Sequence, residues 1–159
     1  MTDPKEVAKA VGHIPSGLFI VATKSGEQLD GYLASWVQQV SFSPLMIALA
    51  INPDRPGYDS IVAGETFTVN VVGDHEANYL KHFWSGYDPA NSPFKEIDHD
   101  ISENGGILIK NAKSVIECRF KDKINPGDHE VVLAEVVASY VMNDEAKPKV
   151  HIRKSGLDY

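Results

Sequence analysis

The sequence predicts a mainly β protein, α+β by some schemes, built as a closed or nearly closed antiparallel barrel with two or three short helices. Six or seven segments carry apolar residues in alternating or continuous strand patterns, and turn formers separate them. They do not alternate with long helical stretches, as a parallel, doubly wound sheet requires. A third observation is the tract 31–51. Its first part is rich in small, hydroxyl and amide residues and runs into seven consecutive apolar residues, as a barrel wall beside a ligand would.

The elements follow in order. Asp3 caps a first helix, with Pro4 at its first position, Glu6 placed to reach back, and Gly12 as its stop. Val7, Ala8 and Val11 form its inward stripe. Residues 18–23, the turn 24–27 and the start of the 31–51 tract read as a hairpin. Residues 45–51 read as a fully buried strand closed by Asn52, Pro53 and Asp54. One helical turn is expected at 60–63, before Gly64. In 66–72, Phe67, Val69 and Val71 alternate with Thr66, Thr68 and Asn70, giving a strand with one wet face.

Asp74 is expected to cap a helix over 75–84, with Ala77, Leu80 and Trp84 at helical spacing. Residues 85–106 are rich in Pro, Asn, Asp and Gly and read as a long functional loop. In 114–121, Ile116, Cys118 and Phe120 share one face, and Glu117, Arg119 and Lys121 the other. Residues 125–128 form a turn into a long strand over 129–142.

At 159 residues the chain is expected to be one domain, 1–159, able to bury about two-thirds of its extended surface. A net charge of −7 argues against a nucleic-acid binder, which needs a basic face. A single cysteine, Cys118, excludes a disulfide framework and a multi-cysteine metal site. No run of about 18 apolar residues and no signal-peptide pattern is present, so no membrane association and a cytoplasmic location are expected.

Phosphate-loop and Gly-x-Gly-x-x-Gly patterns are absent. Asp98, His99 and Asp100 make no complete metal site and read as solvated. Cys118 lies on an apolar strand face and reads as core, because a reactive thiolate needs electropositive, partly exposed surroundings. Ser35, Gln38, Gln39 and Ser41 offer side-chain donors along the 31–51 tract, although from these residues alone the tract reads first as a meander of two ordinary strands. Arg55 follows the buried strand in a Pro- and Gly-rich turn, with Ser60 near a helix start. That placement suits an anion site or an exposed turn arginine. His129, after Gly127 and Asp128, is placed to steady charge or to hydrogen-bond a bound ring. Trp36 and Trp84 fit stacking residues or core residues alike.

In sequence order these stretches resemble the flavin reductase-like family, the FMN-binding split barrels. The resemblance runs over about 11–159 and rests on residues 14–23, the tract 31–44, Phe67-Thr-Val-Asn-Val71, and Gly127-Asp-His129 with Ala134-Glu-Val136. Ala34-Ser-Trp-Val37, Lys81-His-Phe83 and the tail 151–156 are most similar to the reductase module fused to flavodiiron proteins. The resemblance implies an antiparallel split β-barrel and a homodimer with one FMN per subunit near the interface. FAD is the alternative flavin, and NADH or NADPH the co-substrate.

It also implies roles for individual residues. Ala34, the Ser35-Trp36-Val37 backbone, Gln39 and Ser41 would line the flavin. Asn52, Pro53, Arg55 and Ser60 would hold its phosphate end. His129 would be catalytic, on the nicotinamide side. The implied activity is an NAD(P)H:flavin oxidoreductase: hydride passes from nicotinamide to flavin N5, and the reduced flavin passes electrons to an acceptor, which includes the option of a redox protein partner. Two alternatives stay open, an FMN-bound electron carrier reduced by a protein and a non-redox split-barrel binding module. The chain is either a stand-alone relative or an excised domain.

Overall fold

The computed structural model describes residues 3–75, 77–84 and 88–158. Helix α1 (Pro4–Gly12) opens the described chain, with the Asp3 carboxylate accepting from Lys5 N at 2.9 Å. Next come β1 (Ser16–Gly17), β2 (Phe19–Ser25), β3 (Gln28–Ala34), β4 (Val37–Phe42), β5 (Leu45–Ile51), the short helix α2 (Tyr58–Val62) and β6 (Phe67–Val71). Two 3₁₀ segments, Asn78–Phe83 and Pro93–Lys95, precede β7 (His99–Ile101), β8 (Ile107–Ile109), β9 (Ser114–Ile124), β10 (Glu130–Val141) and β11 (Val150–His151).

Seven strands form one antiparallel sheet in the order β3-β2-β6-β9-β10-β5-β4. Its two edges, β3 and β4, are consecutive in sequence, and only Ser35 and Trp36 separate them. Opposite edges joined by two residues force the sheet to curl until they meet, because two residues span at most about 7 Å. β3 pairs only with β2, and β4 only with β5, so hydrogen bonds do not close the seam. The result is a split antiparallel barrel whose edges meet at Ser35 and Trp36.

The curl makes two cores. Val21, Ile47, Leu49, Ile51, Phe67, Val69, Cys118 and Val132 fill the inside, with Ile61 of α2. On the outer side, Ile20, Ala22 and Val115 pack against Leu80, Phe94, Ile107 and Ile109. β2 is therefore buried on both faces, which explains its unbroken apolar run.

This second core corrects several expectations. The expected wet face of β6 is dry, because β8 covers it. Thr68 Oγ1 donates to Ile107 O at 2.8 Å, Asn70 Nδ2 donates to Thr68 Oγ1 and Ile20 O, and Asn70 Oδ1 accepts from Ile109 N. Glu117, on the strand face shared with Arg119 and Lys121, is fully buried beside Thr68, with Asn104 Nδ2 donating to its Oε2 at 2.8 Å. Gly106 permits this burial: a Cβ there would lie 2.5 Å from Glu117 Oε1. The expected loop 85–106 contains a 3₁₀ turn and β7, which pairs with β8. Its residues 85–87 lie outside the described residues.

Asp74 does not cap a helix. Its backbone and carboxylate pair with Lys147 across the C-terminal tail, and the following turn is the 3₁₀ segment. Residue 76 of the expected helix is not described. β5 is buried only at Ile47, Leu49 and Ile51, since its other face lines a groove. Val7 of α1 is exposed, while Ala8, the partly exposed Val11 and Gly12 form the face packed on the tail, where a Cβ on Gly156 would meet Val11 and Gly156 N donates to Ala8 O.

Candidate functional site

The corner between β3 and β4 divides two grooves, and Ser35 lines both. The first encloses about 580 Å³. Leu18, Leu33, Leu80 and Phe83 give it apolar walls, and Arg55, Lys149 and His151 bring positive or protonatable groups from the β5–α2 turn and the tail. The second encloses about 560 Å³ and runs past Trp36 and Val37 over Ala48 and Ala50 of β5 to the β1–β11 pair. Volumes of this size suit a nucleotide-sized ligand.

Ser35 is only 6% exposed, and its Oγ has no hydrogen-bond partner among the described residues. An unsatisfied buried hydroxyl costs about 1–3 kcal/mol, so a polar ligand atom at this corner would recover that loss. Apolar walls for a planar ring, cations for a phosphate and an orphaned donor between them fit a flavin nucleotide.

Trp36 joins the corner to a third element. Its indole lies 5.0 Å from the His129 ring, tilted by 60°, and the Arg153 guanidinium sits 5.1 Å over the indole. His129 Nδ1 donates to Asp128 Oδ1 at 2.9 Å. That hydrogen bond, with the imidazole's charge, holds the Asp128 carboxyl below its usual value.

Residues 11–156 match the flavin reductase like domain. The chain belongs to the flavin reductase-like family. Diflavin flavoprotein A 1 of Synechocystis sp. is 31% identical over 157 residues, a match covering 97% of this chain and 27% of that protein. The domain thus spans about a quarter of the length of the curated relatives it matches. Among solved structures, the NADH:FAD oxidoreductase SgcE6 of Streptomyces globisporus superposes with a TM-score of 0.84 at 24% identity, covering 97% of this chain and 92% of that one. Flavin reductase HpaC, solved with NADP+, gives 0.78 at 22% identity and covers 94% of each chain.

Within the flavin reductase-like domain, the structure brings Ala34, Ser35 and Arg55 into the first groove, and Ser35, Trp36 and Val37 into the second. His129 sits behind Trp36 and lines neither. Gln39 and Ser41 lie on edge strand β4, where Gln39 Nε2 donates to Ser41 O, away from both grooves. Asn52 and Pro53 shape the turn that carries Arg55: Asn52 Oδ1 accepts from Asp54 N, and Arg55 N donates to Asn52 O. Ser60 lies on α2, its carbonyl accepting from Glu65 N.

Two other singled-out groups are structural. Cys118 is buried, and desolvation, with Glu117 beside it, pushes its thiol up to about 12. Asp98 and Asp100 flank Lys110 at 3.2 and 3.4 Å, while the His99 ring packs on Phe94. Sequence reasoning had not placed Lys149 and His151 in the site. Their signal was present: Lys147, Lys149, His151 and Arg153 recur every second residue, the period of a strand with one basic face.

No helix among the described residues is long and apolar enough to cross a membrane.

Proposed function

We propose that this domain binds a flavin nucleotide, FMN or FAD, across the Ser35 corner and acts as an NAD(P)H:flavin oxidoreductase. The observation that carries the reading is the buried, unpartnered Ser35 Oγ between two grooves, one of them holding Arg55, Lys149 and His151. A bound flavin supplies the ring that takes a hydride from nicotinamide and passes electrons on; the protein supplies position and electrostatics. Ser35 donates to the polar part of the ring system, Leu33, Leu80 and Phe83 exclude water from its apolar part, and Arg55 holds the phosphate. Trp36 closes the corner and orients His129, whose imidazole steadies charge on the nicotinamide side. The proposed homodimer would cover Val40, Phe42 and Leu45, which stand exposed on β4 and at the start of β5. Analytical ultracentrifugation tests that assembly.

A second reading is an FMN-bound carrier reduced by a protein. It is favoured by the covered His129 side chain, which is 16% exposed behind Trp36. One experiment separates the two. The protein is loaded with FMN and mixed anaerobically with NADH or NADPH while flavin absorbance is followed. Bleaching supports the reductase, an unchanged flavin band favours the carrier, and no flavin binding overturns both.

A further inference from the structure

Lys149 and His151 line the flavin groove, but Arg153, the next residue in the same alternation, lines neither groove. It also forms no ion pair among the described residues. Its guanidinium lies over the Trp36 indole, 5.1 Å from the ring centre.

The main chain at Arg153 is held from two sides. Two residues earlier, His151 pairs with Ser16 of β1. On the other side α1 rests on the tail. A Cβ on Gly12 would lie 2.9 Å from Arg153 O, so the absent side chain lets the helix end come this close, and Gly156 N donates to Ala8 O. Helix and strand pair together fix where the guanidinium can reach.

Trp36 needs such a partner. It belongs to the corner between β3 and β4, where no strand pleat sets the direction of its side chain. Ala50 N donates to Trp36 O and pins its backbone, while the half-buried indole borders the second groove. A guanidinium is attracted to the face of an indole and stacks on it as a plane, so Arg153 steadies the ring that packs on His129. We infer that Arg153 is a positioning residue for flavin reduction, acting through Trp36 to hold the His129 imidazole in its working orientation. This rests on the reductase reading, with His129 on the nicotinamide side.

The test compares intact, FMN-loaded wild type with Arg153→Ala, Arg153→Lys, Trp36→Leu and the double variant Arg153→Ala/Trp36→Leu. Stopped-flow reduction by NADH or NADPH gives the saturating rate and KM. Arg153→Ala is expected to lower the saturating rate about tenfold, the scale of one partly desolvated cation–π contact, with KM and FMN affinity unchanged. Arg153→Lys keeps the cation and should recover most of the rate. In the Trp36→Leu background, Arg153→Ala should cost nothing further, because the link is already cut. An equal loss in both backgrounds overturns the inference. So does a raised KM at an unchanged saturating rate, which would make Arg153 a direct ligand of the nucleotide. NMR of the apo protein supplies a readout that needs no flavin chemistry: the His129 ring-proton shifts, set by the adjacent indole, should move in Arg153→Ala and stay in Arg153→Lys. If wild type reduces no flavin, the reductase reading falls, and these shifts still decide whether Arg153 orients His129. Shifts unmoved by Arg153→Ala overturn it.

Discussion

The indole of Trp36 packs against the imidazole of His129, ring centroids 5.0 Å apart and planes tilted by 60°. Trp36 belongs to the two-residue corner joining the sheet edges, and His129 immediately precedes β10. The contact ties the groove-lining corner to the residue proposed to act on the nicotinamide side. His129→Ala is expected to slow flavin reduction by about 100-fold, the lower scale of a positioned acid–base group, while weakening FMN binding far less. Stopped-flow reduction and fluorescence titration check this, and equal losses in both would make His129 a flavin-site residue.

Arg55 lines the flavin groove, with its guanidinium 6.0 Å from the centre of the Tyr32 ring. Arg55→Ala is expected to weaken FMN binding by about 1.5–3 kcal/mol, the range for a hydrogen bond to a charged group. Unchanged affinity by fluorescence titration would remove Arg55 from the phosphate site.

The barrel class was legible because apolar periodicity reports which face of a strand is buried. Periodicity does not report whether a second element covers the other face. Thr68 and Asn70 read as a wet face and Glu117 as part of a charged one, yet the β7–β8 hairpin and the Asn104–Gly106 turn lie over them. That hairpin was hidden because Pro, Asn and Gly dominate its surroundings and its strands have only three residues each. Within the site, the small and hydroxyl residues around Ser35 pointed to the right corner. The tail residues Lys149 and His151 reach the groove only because β11 pairs with β1, a contact between residues over 130 apart in sequence.

Asn70 supplies the polar link between the sheet and its outer cover. Asn70→Ala leaves the Ile109 N–H without its acceptor in a dry core and removes the donor to the Thr68 hydroxyl oxygen, which keeps its own bond to Ile107 O. The expected destabilisation is about 2–3 kcal/mol, seen as a lower denaturant midpoint. Faster amide exchange at Ile107 and Ile109 should accompany it, and a midpoint equal to wild type would contradict this assignment.

Acid should loosen the junction between α2 and β10. The Tyr58 hydroxyl and Lys123 Nζ both donate to Glu130, and these hydrogen bonds hold its carboxyl below the usual glutamate value. A depressed folded pKa contributes stability above the unfolded value, about 4.3, and that stability is lost as pH falls through the folded one. Thermal melts should therefore show wild type more stable than Glu130→Gln at pH 6, with the gap closing below pH 4.3. A gap independent of pH would exclude the charge as its source.

The most direct test of the account is a comparison of Ser35→Ala with wild type in two measurements, apo thermal stability and FMN affinity. Removing a buried hydroxyl with no partner should leave the apo fold as stable as before, or more so. Removing a donor to the flavin should weaken FMN by about 0.5–1.5 kcal/mol. Stability kept and affinity lost is the predicted pair. FMN affinity equal to wild type would contradict the placement of the flavin at the corner where the two sheet edges meet.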